Sequence, residues 1–370
     1  MGKGANRLET ITQQNELLKE QNDLLREQNE LLQRQSAKIT WGGVHKTFVE
    51  DIDRDEMRNG FLVTSQRKKL WNVQIDLINE FARICKKHNL RWFAACGTLL
   101  GAARHKGFVP WDDDVDVVMM RPEYEKFRKI VAAEIKSPYV VDFWYDYRLE
   151  SDEPSALTDL SLPIISNAQH KKFPFGAPFF PLIKLKDKRT LFVEFPELKT
   201  VQQNIWLDIF PLDSLPPFAN RQHAINFEIE RIIFIATVHP EIIKDALQKG
   251  QKLVVDHDKL REFMRLPYKQ RCLQLEELLA KNFFLSERVG DLREWCIIQK
   301  RRSYQLKDFR DVAYLPFEKI TVPAPAGYES VLTDFYGDWR KCVIYPPHNF
   351  IYSADISWEE YLSQSSRQLS

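Results

Sequence analysis

Cys96–Met120 reads CGTLLGAARHKGFVPWDDDVDVVMM, and four aspartates, Asp112, Asp113, Asp114 and Asp116, fall within five positions of it. Unpaired carboxylates packed this closely repel one another, so their grouping implies a cation or a cationic partner. The alternation DVDVVM predicts a partly buried strand over Asp114–Met119. On such a strand Asp114 and Asp116 share one face, with Val115 and Val117 on the other. Two neighbouring carboxylates suit Mg²⁺, which takes oxygen ligands from carboxylates and substrate phosphates. A pair of such ions can clamp both the attacking and the leaving oxygen of a phosphoryl transfer. A solvated acidic loop is the bland alternative.

Three other uses of such acids can be compared. An EF-hand loop starting at Asp112 would find acids at 112, 114, 116 and 123, but its sixth position must be glycine and here it is Val117. A phospho-aspartate nucleophile motif needs an apolar strand before its first acid, whereas VPWDD precedes this one. A glycosyltransferase D-x-D metal motif stays open on spacing alone. No Walker sequence occurs, which excludes a P-loop NTPase.

The residues upstream favour phosphate chemistry. Gly97 permits close approach of backbone to a ligand, and Thr98 opens a helix whose free N–H groups attract phosphate. A Gly-Ser/Thr turn followed some fifteen residues later by D-x-D on a strand is the local plan of DNA polymerase β-like nucleotidyltransferases. That plan needs a third carboxylate from another strand. Asp208, in the apolar run Ile205–Phe210, is the candidate, because an acid there faces either a ligand or a large desolvation cost. A strand-end residue facing solvent is its alternative.

The stretch GTLLGAARHKGFVPWDDDVDVVM resembles the LicD family, phosphocholine transferases of bacterial surface glycans such as lipopolysaccharide, teichoic acid and capsule, related to fukutin-type transferases. FFPLIKLKDKRT (179–190), IWLDIFPLD (205–213) and VPAPAGYESVLTDFYGDWRKCVIYPPHN (322–349) extend the resemblance over roughly residues 70–350. It implies an α/β (α+β) fold with a nucleotidyltransferase-like core and a short mixed sheet. It also implies transfer of a phospho-alcohol, phosphocholine from CDP-choline above all, to a sugar hydroxyl of a cell-surface glycan or its lipid-linked precursor. The family pattern places metal acids at Asp114 and Asp116, with Asp208 third and Asp112 less firmly included. Mg²⁺ or Mn²⁺ is the implied cofactor. Ribitol phosphate or glycerol phosphate transfer on the same core is the runner-up, and a non-catalytic coiled-coil scaffold that binds glycan or nucleotide is the contrasting class.

Gly97, Thr98, Arg104 and Lys184 are the candidates for holding the donor phosphates. Arg104 is a natural charge partner for a diphosphate, and Lys184 sits unusually within an apolar strand, where snorkelling is its alternative role. His105 is a candidate base, although an ordinary structural histidine is commoner. Trp111 and Phe108 can stack on a base or simply pack. Tyr336–Asp338 and Pro346–His348 resemble a substrate loop or plain turns.

Composition bounds the rest. The 370 residues are 44% hydrophobic and carry 53 basic against 52 acidic residues, so wholesale disorder and a generally basic nucleic-acid-coating role are both excluded. Five scattered cysteines without a C-x-x-C disfavour a disulfide framework or zinc knuckle and fit a reducing compartment. With neither a secretory signal nor an 18-residue apolar run, a cytoplasmic enzyme, in reach of the inner face of the membrane, is expected.

The N-terminal region is a different material. QNELLKE-QNDLLRE-QNELLQR repeats every seven residues, with Asn15, Asn22 and Asn29 at one position and Leu18, Leu25 and Leu32 at another. Asn at a and Leu at d predicts a coiled coil over 8–39 and a homo-oligomer through it. The predicted organisation is a stem over 1–40, a linker over 41–65 and a catalytic domain over 66–350. A helical annex is expected at 221–300 within that domain, and a tail at 351–370. Strands are expected at Arg91–Cys96, Tyr139–Tyr147, Phe179–Leu185 and Asn204–Phe210, and a helix from Gln66.

Overall fold

A computed structural model describes residues 47–146, 182–194, 202–215, 221–283, 286–292, 302–346 and 350–368. The heptad stem lies outside the described residues, as do Phe179–Pro181, the last part of the expected annex, Pro347 and His348.

The chain enters through a hairpin, β1 (Glu56–Arg58) and β2 (Phe61–Val63), into the long helix α1 (Ser65–Lys87). Thr64 caps α1 by accepting from the Arg67 amide at 3.2 Å, a contact worth about 1 kcal/mol. Asn89, just past the far end, takes a left-handed φ of 52°, which a short polar side chain tolerates. Leu70, Val73, Leu77, Phe81 and Ile84 form the buried stripe that their spacing predicts.

Next come β3 (Phe93–Ala94), α2 (Cys96–His105), β4 (Asp116–Met120), α3 (Arg121–Glu134), β5 (Tyr139–Phe143), β6 (Ile183–Asp187), β7 (Leu191–Val193) and β8 (Trp206–Leu215). Helices α4 (Arg221–Val238), α5 (Pro240–Gln248), α6 (His257–Arg265) and α7 (Tyr268–Asn282) follow. The chain then returns to the sheet through β9 (Arg288–Gly290) and β10 (Tyr304–Gln305). A second hairpin, β11 (Val312–Phe317) and β12 (Ile320–Pro325), leads into α8 (Tyr328–Tyr336), β13 (Ile351–Ser353) and α9 (Trp358–Gln368).

The main sheet is mixed and has seven strands in the order β10-β9-β8-β4-β3, with β5 and β6 branching from β8. β8 makes the branch possible because it is ten residues long. One edge runs parallel to β4 throughout; the other pairs antiparallel with β6 early and with β9 late. Val117, Met119, Leu207 and Ile209 alternate onto one face and are fully buried. This is the α/β class of fold that the resemblance implies.

Four expectations shift. The strand over Asp114–Met119 begins only at Asp116, because side chains of α1 take the carbonyls of the preceding loop. The strand over Tyr139–Tyr147 stops at Phe143 and turns, since Trp144 dives into the core to donate to Glu276 Oε1 at 2.9 Å. Continuous helix does not reach residue 300: α7 ends at Asn282 and β9 joins the sheet. Within the expected tail, residues 351–368 join the body, for β13 pairs with β7 and Ile351 and Trp358 pack with Leu191 and Val193.

Candidate active site

The site lies where α2 begins and where β4 meets β8. The parallel register places Asp116 opposite Asp208, so their backbones stand one strand spacing, about 4.8 Å, apart with side chains on a common face. Two residues on, Val118 pairs with Phe210 on that face. The antiparallel pairing of β6 adds Lys184 opposite Asp208 on its other side. Asp116, Asp208 and Lys184 therefore form a row across three strands, which no local pattern in the chain reveals.

Asp112, Asp113 and Asp114 precede β4 in a loop, each offering a carboxylate oxygen within 4.8 Å of the others. Asp114 thus belongs to the loop cluster rather than to the strand face expected for it. The loop is fixed from α1: Trp71 Nε1 and Arg67 Nη1 donate to the Asp112 carbonyl at 3.0 and 2.7 Å, and Gln74 Nε2 donates to the Asp113 carbonyl at 2.8 Å. Trp71 is in turn stacked on Phe108 with ring centroids 4.7 Å apart. Burial, with the charges of Asp114, Asp113 and Asp116, pushes the Asp112 carboxyl well above the usual carboxylate range.

Gly97 is required here by space. A Cβ at that position would stand 2.0 Å from Asp112 Oδ2, so Asp112 packs directly on the first turn of α2. Cys96, which opens the helix, has φ +44°, a left-handed conformation costly for a side chain with a Cβ. Thr98 is almost fully buried, and its Oγ1 accepts from the Asp116 amide at 2.9 Å. The Ala95 amide donates to the Asp116 carbonyl at 3.0 Å, and the Asp208 amide to Val115 at 3.0 Å. The Thr98 side chain thus sets the start of β4, while the phosphate role expected of this residue rests on its backbone N–H.

Other candidates sit differently. Asp208 Oδ2 accepts from Trp206 Nε1 at 2.9 Å, and Oδ1 faces Lys184 Nζ at 3.5 Å. Lys184 also pairs with Glu194 at 2.9 Å and lies over the Trp206 ring. Burial opposes its charge, but Asp208 and Glu194 outweigh that and raise its pKa. Lys184 is accordingly the counter-charge of the acids. Arg104 donates to the carbonyls of Trp339 and Lys341 at 2.8 and 3.0 Å, which ties down the chain after α8. His105 is eight residues beyond Gly97, about 12 Å along the helix. It bonds Asn59 Oδ1 at 3.1 Å, and burial lowers its pKa to about 4. Neither Arg104 nor His105 joins the acid cluster.

Sequence reasoning missed Arg67, Trp71 and Gln74. The signal was present in Arg67 and Gln74, polar residues on the buried side of α1. It also missed Tyr336 as a neighbour of the acids: burial first, then Cys96, Asp112, Asp116 and Asp114, raise its phenol far above the ordinary value.

Residues 89–218, which contain α2, β4, β8 and every acid above, match the family model described as LicD/FKTN/FKRP, nucleotidyltransferase domain. Residues 89–218 are thus similar to a LicD-type nucleotidyltransferase domain. The lipopolysaccharide cholinephosphotransferase LicD of Haemophilus influenzae is 24% identical over 271 residues, 73% of this chain and 89% of that protein. An uncharacterized protein of Rickettsia typhi is 36% identical over 67 residues, 18% of this chain and 21% of its own. Among the described residues, no helix is long and apolar enough to cross a membrane. The all-oxygen donor set of these acids, under mutual repulsion, has the chemistry that a hard divalent cation takes.

Proposed function

We propose that the protein is a metal-dependent phosphotransferase that moves a phospho-alcohol, phosphocholine in the first place, from a CDP-alcohol to a sugar hydroxyl of a surface glycan or its lipid-linked precursor. The pairing of Asp116 with Asp208 beside the Asp112–Asp114 cluster carries this reading. The likeness to a lipopolysaccharide cholinephosphotransferase supports the choice of alcohol and acceptor. The reaction is placed on the cytoplasmic side, where CDP-alcohols are made.

Asp114, Asp116 and Asp208, with Asp112 alongside, would hold Mg²⁺ or Mn²⁺. When bound, the ion neutralises charge on the donor phosphates. The first turn of α2, at Gly97 and Thr98, presents backbone N–H groups toward donor phosphate. The acceptor oxygen forms a bond to the phosphorus that carries the alcohol, the phosphoanhydride bond breaks, and CMP leaves with the bonding pair. Asp208 receives the acceptor's proton, and Lys184, 3.5 Å from Oδ1, holds that carboxylate in place. Residues Arg67, Trp71 and Gln74 keep the acid loop pre-positioned, so little reorganisation accompanies the reaction.

A panel of CDP-choline, CDP-ribitol and CDP-glycerol, assayed for CMP release with Mg²⁺ and candidate glycans, tests the reading. CMP release from CDP-choline that is abolished by EDTA is expected. Full turnover in excess EDTA would refute the metal requirement, and silence toward every donor would refute the transferase reading itself.

A further inference from the structure

The row of charged residues on the sheet face continues past Lys184. β5 pairs with the far side of β6 and sets Asp142 opposite Lys184, so the row runs Asp116, Asp208, Lys184, Asp142 across β4, β8, β6 and β5. Lys186 lies two residues along β6 on the same face. Glu194, the residue after β7, meets Lys184 from outside this sheet.

These charges are paired selectively. Lys186 donates to Asp142 and, at 2.8 Å, to the Gln202 carbonyl, so the acid that register sets on one side of Lys184 is engaged elsewhere. On the other side stands Asp208. The Lys184 ammonium nevertheless donates to Glu194 at 2.9 Å and only faces Asp208 Oδ1 at 3.5 Å, beyond ordinary hydrogen-bond distance. That oxygen is buried and accepts no hydrogen bond from the described residues. The other oxygen, Oδ2, accepts from the Trp206 indole at 2.9 Å, and the same ring carries the ammonium 3.9 Å from its centroid.

The choice of partner has an electrostatic consequence. An ammonium bonded directly to Asp208 would offset that carboxylate's charge, and a divalent cation would then meet a neutral pair. With Lys184 bonded to Glu194, those two form the neutral pair and Asp208 keeps its charge. A buried ion pair is by itself weak evidence of a role beyond packing. Here the lysine is bonded to the acid that is remote in strand register and not to the acid beside it.

We infer that Glu194 is a positioning residue: it holds the Lys184 ammonium off Asp208 and so keeps the Asp208 carboxylate available to a divalent cation. The inference rests on the metal-dependent reading above and deepens it by naming what sets the charge at Asp208. Glu194 needs no contact with the ion, because it acts through Lys184.

Mn²⁺ binding to the full chain, read by electron paramagnetic resonance of the free ion, provides a test that needs no turnover. Glu194→Gln should weaken Mn²⁺ about tenfold or more, since Lys184 then closes on Asp208 and its charge opposes the ion. Adding Lys184→Met to that variant should restore affinity to within about threefold of the unmodified chain, because no ammonium remains to be held away. Unchanged affinity in a folded Glu194→Gln would overturn the inference. A double variant as weak as the single one would do the same, for Glu194 would then act as a ligand or as a structural residue. If Glu194→Gln fails to fold, Lys184→Met alone is read instead: Mn²⁺ should bind it about tenfold tighter, since the Glu194 charge is no longer offset, and equal or weaker binding would count against the inference. Failure of the underlying reading looks different. An unmodified chain that binds no Mn²⁺ refutes the metal itself, whereas Mn²⁺ bound equally by the unmodified and Glu194→Gln chains refutes only the role of Glu194.

Discussion

Two carboxylate clusters lie at opposite ends of β4, and they are handled in opposite ways. At the C-terminal end, Arg121 is fully buried and donates to Asp213 through Nε at 2.6 Å and Nη2 at 2.8 Å, and also to Glu125 and Glu276. Glu276 accepts from Trp144 as well, so α3, β8, α7 and the turn after β5 are joined through one guanidinium. At the N-terminal end, Asp112 has other carboxylates as its main electrostatic neighbours, and they raise its pKa. Lys184 faces Asp208 there at 3.5 Å. Geometry this unfavourable in isolation, yet clamped by α1, suits the proposed cation site; geometry as complete as that of Arg121 is what a structural joint requires.

The largest expected effect separates the clusters by function. Asp116→Asn and Asp208→Asn should each lower CMP release by about 10³-fold or more, since each removes a carboxylate that would hold the cation against the reacting phosphates. Thermal stability of metal-free Asp116→Asn should hold steady or rise, because repulsion with Asp112 is relieved, whereas Asp208→Asn also loses its pairing with Lys184 and is read on turnover alone. A melting temperature of Asp116→Asn that falls as turnover falls would show that this acid is structural and erase the contrast.

Next in size is the joint. Arg121→Ala leaves buried carboxylates without their partner and should cost about 3–5 kcal/mol of unfolding free energy, read by urea denaturation. Arg121→Met, which fills the same volume, does not restore the pairing. A loss below about 1 kcal/mol would show that water enters this network and that it does not differ in kind from the first.

How far this division was legible beforehand depends on how local the signal is. The run Asp112–Asp116 announced itself, and Asp208 stood out as an acid in an apolar strand; both readings needed only a few neighbouring residues. The pairing of Asp116 with Asp208 did not follow from either, for it depends on a parallel register across ninety residues of chain. Arg121 was invisible for the same reason: beside Pro122 it reads as an ordinary first-turn residue with a local Glu125 partner, and its other two partners are 92 and 155 positions away. β9 was hidden by its length, three residues within a region of helical composition. The clamp on the acid loop uses backbone carbonyls, which leave no trace in side-chain pattern.

A smaller effect sharpens the structural side. Glu230 of α4 is buried, with Oε1 accepting from Asn282 Nδ2 at 2.7 Å, and burial raises its pKa to about 7. The folded-state pKa lies above the unfolded value, so the proton is bound more tightly in the folded chain. Its contribution to stability is therefore complete below about pH 4.5 and is lost as pH rises toward 7. Glu230→Gln should remove that decline and stabilise the chain by about 2 kcal/mol at pH 8. Parallel stability curves for the two proteins from pH 5 to 8 would show that Glu230 titrates normally.

The least effect is expected from the stem, and there the comparison extends to a third region. Asn15, Asn22 and Asn29 at a with Leu18, Leu25 and Leu32 at d make roughly three and a half heptads when Leu8, Ile11 and Ile39 are included. That is near the shortest coiled coil that persists alone, and three asparagines at a weaken it further. Asn meets Asn only between parallel strands in register, so modest, parallel self-association is the expectation. Six basic residues balance six acidic ones over 1–40, so charge does not oppose it. Every acid assigned to the site lies beyond residue 90, and the contacts described for the acid loop come from α1. Deleting residues 1–40 should therefore leave turnover per subunit on a short soluble acceptor within about twofold, while binding to a polymeric or membrane-linked acceptor weakens through lost avidity. Light scattering decides the first premise: equal mass per particle, counted in subunits, for full-length and shortened chains would remove the oligomer. A large loss of turnover on the short acceptor would show instead that the stem shapes the site and is not merely a device for bringing several sites together.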